Sequence, residues 1–270
     1  MQDHHTFPDT KLSDRNRPRK DPAETGVIDF AAWVVALLAA RKSGAKAVLR
    51  ADLLATFHAA AIKETESAMQ AFLRDLVRRK ISAATVADLY IPALARQLGD
   101  DWVDDRVSFM EVTLATSRMQ AMLRAMGANW TADLAGPGQS GALLLVMPAH
   151  EQHTLGAMVL LGQLRRMGVS VRLSIAPDSN ELRNVLAVGS YQGVLVSASS
   201  SARLGDLRAV VDDVRRFGPT GMVIAVGGNI LQAGLDVKAA TGADLATVDL
   251  GLVLNACGIR CECTGDRLRA

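Results

Sequence analysis

Several residue classes are scarce in this 270-residue chain, and each shortage excludes a class of function. Aromatic residues make up only 4% of it, which argues against an RNA-binding surface that stacks bases. The 30 basic and 28 acidic residues leave a net charge of only +2, so no strong attraction to DNA or to an anionic membrane is indicated. The three cysteines, Cys257, Cys261 and Cys263, crowd near the C-terminus, which is not the pattern of a secreted disulfide framework. Without two further ligands at metal spacing, we interpret them as ordinary thiols.

Long hydrophobic runs are also missing. The longest apolar stretch near the front, residues 30–40, is about half the length of a membrane span. The polar N-terminus lacks the apolar region of a signal peptide, so we expect a cytoplasmic protein with no membrane association.

The first half of the chain is predicted to be helical after a polar tail. Residues 1–26 are rich in charge and proline and are predicted to be disordered. Residues 29–130 carry helical patterns that predict a four-helix bundle, including a long helix over 52–79. A third helix is predicted from a cap at Thr85 to Gly99, and Ser108 with Glu111 forms a capping box for the fourth.

In the second half of the chain, the hydrophobic residues follow a different period. Residues 135–141 are rich in Gly and Pro and predict a linker. Over 142–263, short apolar runs alternate with helical segments about five times. This pattern predicts an α/β, Rossmann-like domain with a doubly wound, five-stranded parallel sheet.

Unusual residues follow three of the predicted strands, at the edge where such sheets bind ligands. The first loop holds no dinucleotide-binding G-x-G-x-x-G, and the chain holds no phosphate-binding P-loop motif. The loop after the first predicted strand holds Glu151 and His153 instead. A hydrogen bond from one ring nitrogen of His153 to Glu151 would leave the other nitrogen free as a metal ligand or base. Gly156, three residues later, would let a bulky group lie close to the start of the following helix.

Together these residues resemble the signature of cobalamin-binding domains, D-x-H-x-x-G, then S-x-L, then G-G. The matching positions are Glu151, His153, Gly156, Ser197, Ser199, Gly227 and Gly228. The resemblance implies that His153 is the lower cobalt ligand and Glu151 its hydrogen-bond partner. It also implies that Ser197 contacts the displaced nucleotide tail and that the double glycine lets the tail pass close to the backbone. Two positions depart from the signature: Glu151 replaces Asp, and Ser199 replaces Leu, which makes the slot more polar.

The helical half is similar to the four-helix cap of methionine-synthase-type domains and of cobalamin photoreceptors. That likeness implies that Trp102 and Met110 lie near the upper face of the corrin. DNA-binding photoreceptors carry Glu-His after this tryptophan, whereas Val112-Thr113 stands at the matching place here. We therefore expect no upper histidine ligand from that position.

The other histidines and the methionines are interpreted as structural. His150 is predicted to be a loop histidine rather than a second ligand, and His58 to lie on a helix surface or in the core. Met119, Met122 and Met126 fall on one helix face and are predicted to be core residues rather than a lid over the cofactor.

The layout resembles cobalamin-binding antirepressors of photosynthesis gene expression (the AerR/PpaA type). That resemblance implies a non-enzymatic, light-responsive regulator that binds a transcriptional repressor protein and binds DNA weakly or not at all. The cofactor would be hydroxocobalamin, adenosylcobalamin or methylcobalamin. The alternative is a corrinoid protein that carries methyl groups for a methyltransferase, whereas 270 residues leave no room for the barrel of a mutase.

Overall fold

The computed structural model of the protein describes residues 48–63, 65–132, 141–201 and 204–260. The predicted tail over 1–26, the first part of the predicted bundle (29–47), Cys261, Cys263 and most of the predicted linker lie outside these residues.

A layer of helices comes first. Its helices are α1 (Ala51–Ile62), α2 (Glu66–Arg78), α3 (Ile91–Val103) and α4 (Phe109–Ala132), and a helical turn (Ala83–Thr85) and a π-helical turn (Val86–Tyr90) lead into α3. The layer packs around the stacked rings of Phe57 and Phe72, whose centroids are 4.4 Å apart. Three methionines of α4 are also fully buried there, which confirms their predicted core role: Met119, Met122 and Met126.

The helix predicted over 52–79 is broken, which corrects the sequence prediction. Lys63 and Thr65 are extended, so α1 ends at Ile62 and α2 begins at Glu66. The guanidinium of Arg118 on α4 donates to the carbonyl oxygens of Ala60, Ala61 and Lys63, which are left without helical partners at the end of α1. A tertiary contact therefore stabilises a break that helical periodicity does not show.

Two further helix ends differ from the prediction. Ser82, not Thr85, caps the segment before α3, since its side chain accepts a hydrogen bond from the Thr85 amide. Gly99 does not end α3, which continues to Val103. The capping box at the start of α4 is confirmed, because Glu111 accepts from the Ser108 amide at 2.8 Å and Ser108 Oγ accepts from the Glu111 amide at 3.3 Å.

The remaining part is a five-stranded parallel sheet in the order β2-β1-β3-β4-β5, which confirms the predicted fold class. Its strands are β1 (Ala142–Met147), β2 (Ser170–Ile175), β3 (Gly193–Ser197), β4 (Val223–Gly227) and β5 (Leu245–Ala246). Its helices are α5 (Thr154–Arg166), α6 (Ser179–Val188), α7 (Leu204–Phe217), α8 (Val237–Thr241) and α9 (Leu250–Ala256).

Both faces of the sheet are covered. Leu144 and Val146 of β1 join a cluster with α6, α7 and α8, whereas Leu143 and Leu145 join a cluster with α5 and α9. β1 is apolar throughout because each successive side chain meets a helix on one face or the other, whereas β2, at the edge of the sheet, exposes Arg172 and Ile175.

One acidic residue ties β5 to the rest of the sheet. The Asp244 carboxylate accepts hydrogen bonds from the Ile224 amide at 2.7 Å and from the Arg215 guanidinium at 2.6 Å. Partial burial would raise the pKa of Asp244, but these two hydrogen bonds hold it below its ordinary value. Folding is therefore linked to ionisation of this carboxyl.

Candidate functional site

The loops after β1 and β3 meet at the carboxyl edge of the sheet. The loop after β1 runs from Pro148 to His153 and ends where α5 begins, and the loop after β3 carries Ala198, Ser199 and Ser200. Because β1 and β3 are neighbouring parallel strands, their following loops emerge side by side.

Glu151 is the centre of a hydrogen-bonded cluster that joins these loops. Its carboxylate lies 2.9 Å from Nδ1 of His153 and accepts from the His153 amide at 2.8 Å. It also accepts from the Ser199 amide at 2.7 Å and from the Ser199 hydroxyl at 2.8 Å. The Glu151 side chain is 9% exposed, so a nearly buried carboxylate fixes both loops.

These contacts favour the charged form of the carboxylate. Partial burial would raise the pKa of Glu151, but the two backbone amides, the Ser199 hydroxyl and His153 lower it below the ordinary glutamate value. Glu151 is then a strong acceptor, and it favours the imidazole tautomer that carries its proton on Nδ1.

His153 has its opposite ring nitrogen available. Its side chain is 76% exposed, although Nδ1 is held by Glu151 and lies 2.8 Å from Ser199 Oγ. With the proton on Nδ1, Nε2 presents a lone pair away from Glu151. A neutral imidazole oriented by a carboxylate is a common metal ligand in proteins.

A cavity opens beside this cluster. His150 also lines it, with a positive φ of 67°, but no hydrogen bond joins its side chain to Glu151 among the contacts described. The residues lining the cavity are Pro148, Ala149, His150, Glu151, Gln152, His153, Ala198, Ser199, Ser200, Asp206 and Leu207.

Gly156 leaves open space beside the first turn of α5. A Cβ built there would have no heavy-atom neighbour within 4 Å, apart from the helix's own backbone. The space beside Gly156, about one helical turn after His153, is therefore unfilled, although Gly156 is not one of the residues that line the cavity.

The double glycine has a structural role of its own. Gly228 has a φ of 104°, and a Cβ there would lie 2.3 Å from the carbonyl oxygen of Ala198. A Cβ on Gly227 would lie 2.8 Å from the carbonyl oxygen of Thr247. Ser197 pairs with Gly227 in the sheet. The close approach of backbone segments requires these glycines even before any ligand is considered.

Trp102 and Met110 lie elsewhere, at the junction of α3 and α4. Neither lines the cavity beside His153. Their exposed fractions are 53% and 72%, and Val103 and Phe109 between them are exposed as well. We call these four residues the apolar junction.

A partly buried ionic cluster lies next to the apolar junction in sequence. Asp101 is 7% exposed, and it accepts from the Arg106 guanidinium at 2.7 Å and lies 2.8 Å from Nε2 of His58. The Arg106 hydrogen bond, and to a lesser degree His58, lower the pKa of Asp101. His58 is thus a partly buried partner of Asp101, in keeping with its predicted structural role.

The sequence alone does not show the role of Ser199. Its position in the signature suggested only a more polar slot, whereas the structure makes it the residue that joins Glu151 to the β3 loop. The four serines within 197–201 were the available signal, but only the pairing of β1 with β3 shows which of them meets Glu151.

The described part of the chain has no helix that is long and apolar enough to cross a membrane. It also contains no group of three or more His, Cys, Asp or Glu side chains placed to hold a metal ion.

The fold is shared with a corrinoid protein of known structure. The monomethylamine corrinoid protein of Methanosarcina barkeri superposes with a TM-score of 0.58 over 73% of this chain and 92% of that protein. Their sequences are 11% identical, so the likeness concerns the fold.

No protein-family model matches the chain. A relative is found among bacterial proteins: the uncharacterized 20.5 kDa protein in the bchF-crtJ intergenic region of Rhodobacter capsulatus is 39% identical over 170 residues. The match covers 63% of this chain and 88% of the Rhodobacter protein. This chain therefore belongs to the same family as that bchF-crtJ intergenic protein.

Proposed function

We propose that the chain binds cobalamin at the carboxyl edge of the sheet, with Nε2 of His153 as the lower cobalt ligand. The observation that carries this proposal is the Glu151 cluster, which holds Nδ1 of an exposed imidazole and leaves Nε2 free. The fold shared with the Methanosarcina corrinoid protein supports the same cofactor.

The residues around His153 fit such a group. An imidazole whose proton is held on Nδ1 is a suitable donor for cobalt, and Gly156 offers unfilled space next to it. Ser197, Gly227 and Gly228 form the neighbouring strand ends, where a nucleotide tail would run. The bound cofactor would supply a cobalt whose upper ligand can exchange.

The apolar junction would form a second wall around the bound cofactor. Met110 lies ten residues before Gln120 on α4, which is about 15 Å along the helix axis. Gln120 contacts the first residue of α5, next to His153. Met110 therefore stands about 15 Å from that contact along α4, and Trp102 belongs to the same apolar junction; we propose that both would face the upper side of a bound corrin.

For the role of the bound cofactor, we propose a non-enzymatic regulator that acts on a transcriptional repressor protein. The support is the family: its Rhodobacter member is encoded in a photosynthesis gene cluster. The near-neutral net charge favours a protein partner over direct, strong DNA binding. Cobalamin in its hydroxo, adenosyl or methyl form, exchanged by light, would change the affinity for that partner through the helical layer and the sheet.

A second function deserves a test because the structural neighbour is a monomethylamine corrinoid protein. In that case the same site would carry a methyl group for a methyltransferase partner. Retention of the chain by a methyltransferase, together with methyl transfer from bound methylcobalamin to a thiol acceptor, would favour this function. Cobalamin-dependent retention of a repressor would favour the regulator.

The binding proposal is tested by loading the purified chain with hydroxocobalamin. We expect one corrin per chain and a spectrum typical of cobalt with a nitrogen ligand on its lower side. His153→Ala should weaken binding and change the spectrum, whereas His150→Ala, in the same loop, should leave the spectrum unchanged because its imidazole is not the ligand. Equal spectra for the parent and His153→Ala would refute the ligand assignment.

A further inference from the structure

Helix α5 lies between the helical layer and the sheet, and it carries one face for each. Leu155, Met158 and Val159 pack into the core of the helical layer. Ala157 and Leu164 pack into the cluster that covers the sheet. The helix that begins directly after His153 is therefore held by both parts of the molecule.

A polar contact joins the helical layer to α5 at each end. At the first residue, Gln120 Nε2 of α4 donates to Thr154 Oγ1 at 2.8 Å. At the last, Arg166 pairs with Asp88 of the π-helical turn. These two contacts lie 12 residues apart, which is about 18 Å along the helix axis. Only the first of them is next to His153.

The start of α5 depends on side chains from elsewhere. His153 occupies the N-cap position but its side chain makes no capping hydrogen bond, because its ring nitrogen is committed to Glu151. The amide groups of the first turn thus lack the side-chain cap that usually fixes a helix start. The Gln120 contact to Thr154 fixes that turn from the side of α4.

We infer that Gln120 is a positioning residue for His153, acting through Thr154. Its amide sets where the first turn of α5 begins, and hence where the imidazole stands relative to the helical layer. The inference rests on the proposed function for its effect on cobalamin, but its effect on the loop holds in the protein without cofactor. It also provides a direct route by which displacement of α4 would reach the ligand.

The test compares Gln120→Met with Asp88→Asn. Methionine keeps the length and removes the hydrogen bond, while Asp88→Asn weakens the contact at the far end of the same helix. Hydrogen exchange is measured over residues 150–157 in protein without cofactor, and hydroxocobalamin affinity and spectrum are measured after loading. A neutral hydrogen bond of ordinary strength corresponds to about a 2- to 10-fold effect on exchange and on affinity for Gln120→Met.

Thr154→Val should reproduce the effect, and combining it with Gln120→Met should add little, because both changes remove the same contact. Thr154→Ser keeps the hydroxyl and should restore parental behaviour. Asp88→Asn should leave exchange over 150–157 and the spectrum unchanged, even if it lowers the melting temperature.

Unchanged exchange over 150–157 in Gln120→Met would overturn the inference. So would faster exchange with parental cobalamin affinity and spectrum, or an equal effect of Asp88→Asn on this segment. If the parent chain itself binds no cobalamin, the proposed function fails, and the exchange measurement still decides whether Gln120 holds the loop.

Discussion

Gly156 offers a change in which stability and binding should move in opposite directions. The residue lies in the first turn of α5, and a Cβ there would meet nothing within 4 Å outside the helix backbone. Replacing a helical glycine by alanine stabilises a helix by about 0.5–1 kcal/mol. For a protein of this size, each kcal/mol raises the melting temperature by roughly 2–4 °C, so Gly156→Ala should melt roughly 1–4 °C higher.

The same methyl group would occupy the space assigned to the cofactor. Forcing extra atoms into a packed contact costs about 1–3 kcal/mol, which is about 5- to 150-fold in the dissociation constant. Gly156→Ala should thus melt higher and bind hydroxocobalamin more weakly, and Gly156→Leu should bind more weakly still. Melting is followed by circular dichroism and binding by absorbance titration.

Gly99→Ala is the matched control, because Gly99 is also helical and also has nothing within 4 Å. It should raise the melting temperature and leave binding unchanged. Parental affinity in both Gly156→Ala and Gly156→Leu would refute the placement of the cofactor beside the first turn of α5.

Three further changes test other parts of the account. Gly228→Ala puts a Cβ 2.3 Å from the Ala198 carbonyl oxygen, in a backbone conformation suited to glycine. Chemical denaturation should therefore show that the free energy of unfolding falls by about 3 kcal/mol or more. A fall of less than about 1 kcal/mol would contradict the geometry. Glu151→Gln removes the charged partner of His153 and should weaken cobalamin binding by about 10-fold or more in an absorbance titration, and equal affinity would show that the pair does not matter. Asp244 has a lowered pKa in the folded protein, so its contribution to stability is present above the unfolded pKa near 4 and is lost as pH falls through the folded value. Asp244→Asn should therefore flatten the fall in stability on acidification, and an unaltered pH profile would show that this carboxyl is not linked to folding.

Much of the sheet could be predicted because its signals are local. Apolar runs bounded by glycine and proline mark β1, β3 and β4, and helical periodicity marks the helices between them. The break between α1 and α2 could not be predicted, since Arg118 from a distant helix supplies the partners for the end of α1. Tertiary contacts of this kind leave no periodic trace in the sequence.

In the candidate site too, local contacts could be predicted from the sequence and long-range contacts could not. The spacing of Glu151 and His153 on one loop predicted their contact, which is a matter of two residues. The role of Ser199 depends on β1 and β3 being neighbours, and that of Gln120 depends on how α4 packs against α5. Both roles arise from contacts between residues that are far apart in the sequence. The sequence resemblance also assigned the double glycine to a nucleotide tail, whereas the structure shows that neighbouring carbonyl groups already require glycine there.

The central claim is that His153 binds cobalt, and electron paramagnetic resonance of the cob(II)alamin-loaded protein tests it most directly. A nitrogen ligand of the natural isotope splits the cobalt lines into triplets, and a ¹⁵N ligand splits them into doublets. Protein prepared with ¹⁵N-histidine and loaded with unlabelled cobalamin should show doublets, which His150→Ala should keep and His153→Ala should lose. Triplets in the labelled protein would show that the cofactor's own base remains on cobalt, and would contradict the account.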